Sequence, residues 1–168
     1  MAAHKVMLLG EIGVGKSSLA RRLVFDKFSR DYKPTIGVEV YRYDVPADPA
    51  SPATSLILWD TDGNFGDAIF RHVYLKQAAG ALIVADQSRP DTVESMVRLS
   101  KGFAEVLPGR CIHFILNKSD LADDAARRDL DSRLGAVQIP VTRTSALSGS
   151  HVEEAFISTA RAIVRRGY

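Results

Sequence analysis

A single cysteine, Cys111, stands in 168 residues, so no disulfide framework can form within the chain. It lies in the apolar run CIHFIL, which predicts a buried structural thiol and suits a reducing cytoplasm. Long hydrophobic runs are missing too. The opening MAAHKVMLLGEIG is too short and too glycine-broken for a signal peptide or a membrane span. Residue 2 is Ala2, which predicts no N-myristoylation, and the ending VRRGY offers no cysteine to prenylate, so no lipid anchor is expected. Charge of one sign is also lacking. Twenty-two basic residues against 20 acidic leave +2, too little to draw in nucleic acid or an anionic membrane by field alone. The four histidines, His4, His72, His113 and His151, have no metal-ligand spacing, and no Ser/His/Asp or Cys/His arrangement stands out.

What is present suits one domain over residues 1–168. The chain is 46% hydrophobic and 25% charged, enough to bury a core. No internal repeat interrupts it. The stretch DVPADPASPATS (44–55) reads as a connection between strands, because Pro46, Pro49 and Pro52 block ladder pairing. Continuous apolar runs predict buried strands at 5–10, 55–60, 80–86 and 111–117. Residues 37–45 alternate like an edge strand, and 138–144 form the weakest.

Helices are predicted at 16–25, 91–107, 123–134 and 150–166. In the second, Val93, Met96, Val97, Ser100, Ala104 and Leu107 make the inward stripe and Asp91 caps the start. In the fourth, Val152, Ala155, Phe156, Ala160 and Ile163 face inward, while Arg161, Arg165 and Arg166 read as a solvated face. Strands alternating with helices predict an α/β fold with a mainly parallel sheet, its ligand beyond the carboxyl ends of the strands.

GEIGVGKS (10–17) has the spacing of a phosphate-binding P-loop between a strand and a helix. Its glycines let backbone N–H groups converge on a phosphate chain. Lys16 reaches the terminal phosphates and Ser17 offers a hydroxyl to Mg²⁺. The motif alone does not separate ATP from GTP. NKSD (117–120) does, because it follows a strand and ends at the same sheet edge. The Asp120 carboxylate would accept from the guanine N1–H and exocyclic amine, which adenine cannot supply at that edge. Asn117 would brace the loops, and the Lys118 stem would lie across the base.

In this order, GEIGVGKS, FSRDYKPTIG, WDTDG, NKSD and TSA (144–146) resemble the motif set of the Ras-like small GTPases over nearly the whole chain. TIGVE (35–39) is similar to Rab members. The resemblance implies a P-loop NTPase G domain, a six-stranded sheet flanked by about five helices, acting as a GDP/GTP switch with Mg²⁺. It implies a nucleotide site of Gly10, Gly13, Val14, Gly15, Lys16, Ser17, Ser18, Phe28, Tyr32, Thr35, Gly63, Asn117, Lys118, Asp120, Ser145, Ala146 and Leu147. Phe28 packs on guanine, Tyr32 folds over the phosphates, and Ser17, Thr35 and Asp60 serve the metal. Gly63 senses the γ-phosphate, and Gly63, Asn64 and Lys16 form the catalytic set. The implied partners are an effector on the loops at about 26–38 and 62–74, an exchange factor and a GTPase-activating protein, for a monomeric cytoplasmic protein.

Three departures predict slow hydrolysis. Asn64 stands where the family has glutamine to orient the attacking water, one methylene short. Ile12 either crowds the P-loop against an incoming arginine or packs on the switch. Asp62 replaces the family's alanine and would repel the triphosphate, join the metal shell or face solvent. Arg21, Arg22 and Arg30 could act in cis, but a solvated helix face or switch rim is the preferred reading. A P-loop module that binds nucleotide with negligible turnover is the alternative to the GTPase switch.

Overall fold

Apolar continuity decides which strands go to the centre. In the computed structural model, which describes residues 1–31, 33–62 and 74–168, the four continuous runs become β1 (Ala2–Leu9), β3 (Thr54–Thr61), β4 (Gly80–Asp86) and β5 (Cys111–Asn117). Every residue of β4 is buried, as a strand covered on both faces requires. The alternating run is β2 (Val38–Val45), and the short β6 (Val141–Arg143) is the other edge. The six-stranded order is β2-β3-β1-β4-β5-β6, and every pair is parallel except β2 with β3. The predicted mainly parallel α/β sheet is thus the observed one.

Among the described residues there are four helices, α1 (Lys16–Phe25), α2 (Pro90–Val106), α3 (Asp124–Leu134) and α4 (Val152–Arg165), where about five were expected. They divide between the two faces. Leu19 and Ala20 of α1 join Ala155, Phe156, Ala160 and Ile163 of α4 in one core with Val6, Leu8, Leu58 and Leu82. Val93, Met96 and Phe103 of α2 and Leu130 and Leu134 of α3 build the other with Met7, Leu9, Ile83 and Phe114. Alternate β1 residues therefore serve opposite faces, as a period of two dictates. Cys111 is buried in the first core, as expected.

Two details of α2 correct the sequence reading. Helix α2 begins at Pro90, so Asp91 lies in the first turn and the cap position falls to Arg89, which makes no side-chain cap bond. Proline at the first helical position needs no N–H partner, so the helix starts one residue earlier than expected, at Pro90. Ala104 is exposed and Phe103 lies inside instead, because Phe103 falls three and seven residues after the buried Ser100 and Met96 and so shares their face, while Ala104 is turned about 100° away. Arg161, still partly exposed, pairs with Asp48 of the β2–β3 connection.

One buried polar group ties stability to pH. His113 on β5 lies between Thr159 of α4 and Thr142 of β6, each 2.8 Å from a ring nitrogen. Burial lowers its pKa from 6.5 to about 4. Below 6.5 the unfolded chain takes up a proton that the folded protein refuses until about 4, so stability falls as pH drops through that window. Urea unfolding at pH 7 and pH 5 should differ by about 2 kcal/mol from this group. His113→Gln should remove that share of the acid sensitivity.

Candidate nucleotide site

The carboxyl ends of the parallel strands β1, β3, β4 and β5 lie along one edge of the sheet. The chain leaves β1 through Gly10 and re-enters helix at Lys16, with β3 on one side of β1 and β4 on the other. That is a switch point in strand order, where doubly wound sheets open a crevice. Gly10 lies at φ +142°, and a Cβ there would come within 2.3 Å of the Val84 carbonyl. Gly15 lies at φ +103°, and its Cβ would strike the Asn117 amide at 2.3 Å. These two glycines let the loop press against β4 and β5, which no other side chain permits.

The resulting cleft has a volume of about 520 Å³. Of the predicted residues, Gly13, Gly15, Lys16, Ser17, Ser18, Phe28, Thr35, Asn117, Lys118, Asp120, Ala146 and Leu147 line it, as do Ile12 and Asp62. Gly10, Val14 and Ser145 do not line it; they hold lining residues from behind. Tyr32, Gly63 and Asn64 lie outside the described residues.

At the phosphate end, Lys16 is buried, and its ammonium donates to the Gly10 and Glu11 carbonyls at 2.8 and 2.9 Å. Burial pulls its pKa down to about 8, against the opposing pull of Asp60, Asp62 and Glu11. Ser17 donates to Asp60 Oδ2 and sits 2.6 Å from the Thr35 hydroxyl, so the three predicted metal residues come together. Asp60 is fully buried, which raises its pKa to about 6 despite the Ser17 bond and the Lys16 charge. Its Oδ1 has no hydrogen-bond partner among the described residues. Two hydroxyls beside an under-satisfied carboxylate fit Mg²⁺, which takes few protein ligands and completes its shell with water and phosphate oxygens. No group of three His, Cys, Asp or Glu side chains able to hold a metal exists among the described residues.

At the other end, Asn117 ties three loops. Its amide donates to the Val14 carbonyl at 3.0 Å, and its oxygen accepts from Thr144 Oγ1 at 3.1 Å and Ala146 N–H at 3.2 Å. Ser145 donates to Asp120 Oδ1 at 2.6 Å, leaving the other carboxylate oxygen for the cleft.

Two functional side chains escaped the sequence reading. Asp86, at the buried end of β4, holds the Lys118 ammonium at 2.7 Å and takes the Ser88 N–H and hydroxyl on its other oxygen. Those contacts hold its carboxyl below the usual range against burial. With its head fixed and its backbone at φ +62°, the Lys118 stem is laid along the cleft. Arg22 donates to the Ala146 and Leu147 carbonyls at 2.8 and 2.5 Å, so it straps the base-side loop to α1. Arg21 lines the cleft but spends its guanidinium on Glu39 and Tyr41. Arg30 also lines the cleft.

Comparison with known proteins identifies the family. Residues 5–165 match the Ras family. The rat Ras-related protein Rab-31 is 32% identical over 162 residues, covering 95% of this chain and 82% of the relative. Ras-related protein RIC2 of Oryza sativa subsp. japonica is 33% identical over 96% of this chain and 75% of its own length. Ras-related protein RABA4b of Arabidopsis thaliana is 35% identical over 90% and 68%. With a match that spans nearly its full length, the chain belongs to the Ras family, whose members are GTP-binding switches that hydrolyse GTP.

Proposed function

We propose that this chain is a Mg²⁺-dependent GDP/GTP switch with slow intrinsic hydrolysis, read by an effector through the loops around its cleft. The observation that carries the reading is the Asn117 hub. One side chain binds the phosphate loop at Val14 and the base loop at Thr144 and Ala146, so both ends of a nucleotide are served by one rigid unit. Asp120 supplies the acceptor that selects guanine. Lys16 and the loop N–H groups hold the phosphates, while Ser17, Thr35 and Asp60 would hold Mg²⁺. The ion would neutralise charge that builds on the phosphate oxygens. Gly63 would read the γ-phosphate, and Asn64 would orient water.

An effector surface is supported by Ile36, 92% exposed, and Val40 on the neighbouring edge strand. Exchange and GTPase-activating partners, a monomeric state and a cytoplasmic location belong to the same reading. No helix among the described residues is long and apolar enough to cross a membrane.

The second reading is a nucleotide-binding module with negligible turnover, favoured by Ile12 and Asp62, which both line the cleft. Freshly purified protein should carry GDP or GTP and not adenine nucleotide. Its single-turnover rate then chooses between the two readings. Protein that binds ATP as well as GTP, or neither with Mg²⁺, defeats both.

A further inference from the structure

A guanidinium lies against the phosphate loop from outside the cleft. Arg89 Nη1 donates to the Ile12 carbonyl at 3.1 Å, and Nη2 lies 3.4 Å from Glu11 Oε2. Arg89 is not among the residues that line the cleft. Its base is well fixed. The Arg89 N–H donates to Asp86 O at 2.9 Å, its carbonyl accepts from Thr92 N–H and hydroxyl, and Pro90 follows. The far side of Glu11 is held as well, by the Ser95 hydroxyl on Oε1, to which Arg98 donates at 2.8 Å. Helix α2 is thereby linked to the tip of the phosphate loop.

The Ile12 carbonyl and the Gly13 N–H belong to one trans peptide, so they point in opposite directions. Gly13 lies at φ +80°, where a glycine peptide turns over at little steric cost. We infer that Arg89 is a positioning residue for nucleotide binding: by holding the Ile12 oxygen outward, it keeps the Gly13 N–H aimed into the cleft. A charged donor on the carbonyl also polarises the peptide and strengthens the N–H on its far side. The ligand this serves is the phosphate chain of the guanine nucleotide proposed above, and the inference rests on that reading.

The test compares wild type, Arg89→Ala, Arg89→Lys and Glu11→Gln as full chains with Mg²⁺ and a fluorescent GDP analogue. Dissociation should be about tenfold faster in Arg89→Ala, the size expected for a lost charge-assisted bond. Arg89→Lys, which keeps a charge but reaches only one acceptor, should fall between. Glu11→Gln should have a smaller effect, because the bond to Ile12 remains. The Gly13 amide resonance of the GDP-bound protein should move in Arg89→Ala and return toward wild type in Arg89→Lys. A dissociation rate within twofold of wild type in Arg89→Ala overturns the inference. So does faster dissociation with an unmoved Gly13 resonance, which would mark general loosening of α2. If Arg89→Ala does not fold, the same two readouts on Arg89→Lys decide. Wild type that binds no GDP defeats the proposed function itself, whereas wild-type binding with an indifferent Arg89→Ala defeats only this inference.

Discussion

Asp120→Ala should lower GDP affinity about 10³-fold, measured by calorimetry with Mg²⁺ present, while leaving the fold intact. The carboxylate would accept two hydrogen bonds from guanine, each charge-assisted and each worth about 1.5–3 kcal/mol. Its removal forfeits both and leaves two guanine donors facing an apolar methyl, so the loss is larger than for a neutral pair. The fold survives because Asp120 is exposed and its side-chain partner among the described residues, Ser145 Oγ, also accepts from the Ser148 N–H at 3.2 Å. Ser145→Ala is the control. It frees Asp120 without removing the acceptor, and should cost about tenfold, the worth of one orienting bond. The preference for GDP over ADP should shrink sharply in Asp120→Ala and stay high in Ser145→Ala. Equal losses in the two variants would mean that orientation, and not the acceptor itself, carries the selectivity.

The parts of this site that were legible in the sequence share one property: their chemistry is local. GEIGVGKS and NKSD each place several groups on a few consecutive residues, so spacing alone constrains their geometry. The central strands were legible for a related reason, since burial on both faces forces an unbroken apolar run. Asp86, Arg22 and Arg89 had no such signal. Each acts on residues far away in sequence, Asp86 on Lys118, Arg22 on Ala146 and Arg89 on Ile12. A charged residue in an unremarkable setting reads as solvated surface, which is the commoner fate. Only the topology, which puts the ends of β1, β4 and β5 side by side, gives those charges their partners. Among the three arginines considered for a role in cis, Arg22 turned out to have a task of a different kind. It holds a loop, with Nε and Nη2 on the Ala146 and Leu147 carbonyls and Nη1 on the Asp26 carboxylate.

Asn64→Gln should raise the single-turnover GTP hydrolysis rate by up to about 10²-fold, with little change in GDP affinity. Hydrolysis here needs almost no covalent help from the protein; it needs a water in line with the phosphate and charge stabilisation around it. On the proposed reading an amide one methylene short would misplace the group that orients the water, and a misplacement of about 1 Å costs that order of rate. On the proposed reading nucleotide affinity would be set at Lys16, Asn117 and Asp120, so lengthening residue 64 should leave it alone. Ile12 and Asp62 make the size of the gain informative, since both line the cleft. If water placement alone limits the rate, Asn64→Gln gives the whole increase and adding Asp62→Ala changes nothing. If the extra carboxylate also limits it, the double variant exceeds the product of the two singles or the single gives little by itself, because neighbouring groups acting on one reacting centre do not add. An unchanged rate in both variants would move the limit to Ile12 or to a missing partner. The Asn64→Ala control must fall below wild type for the asparagine to count as a working, if short, water ligand; equality there would make residue 64 a bystander.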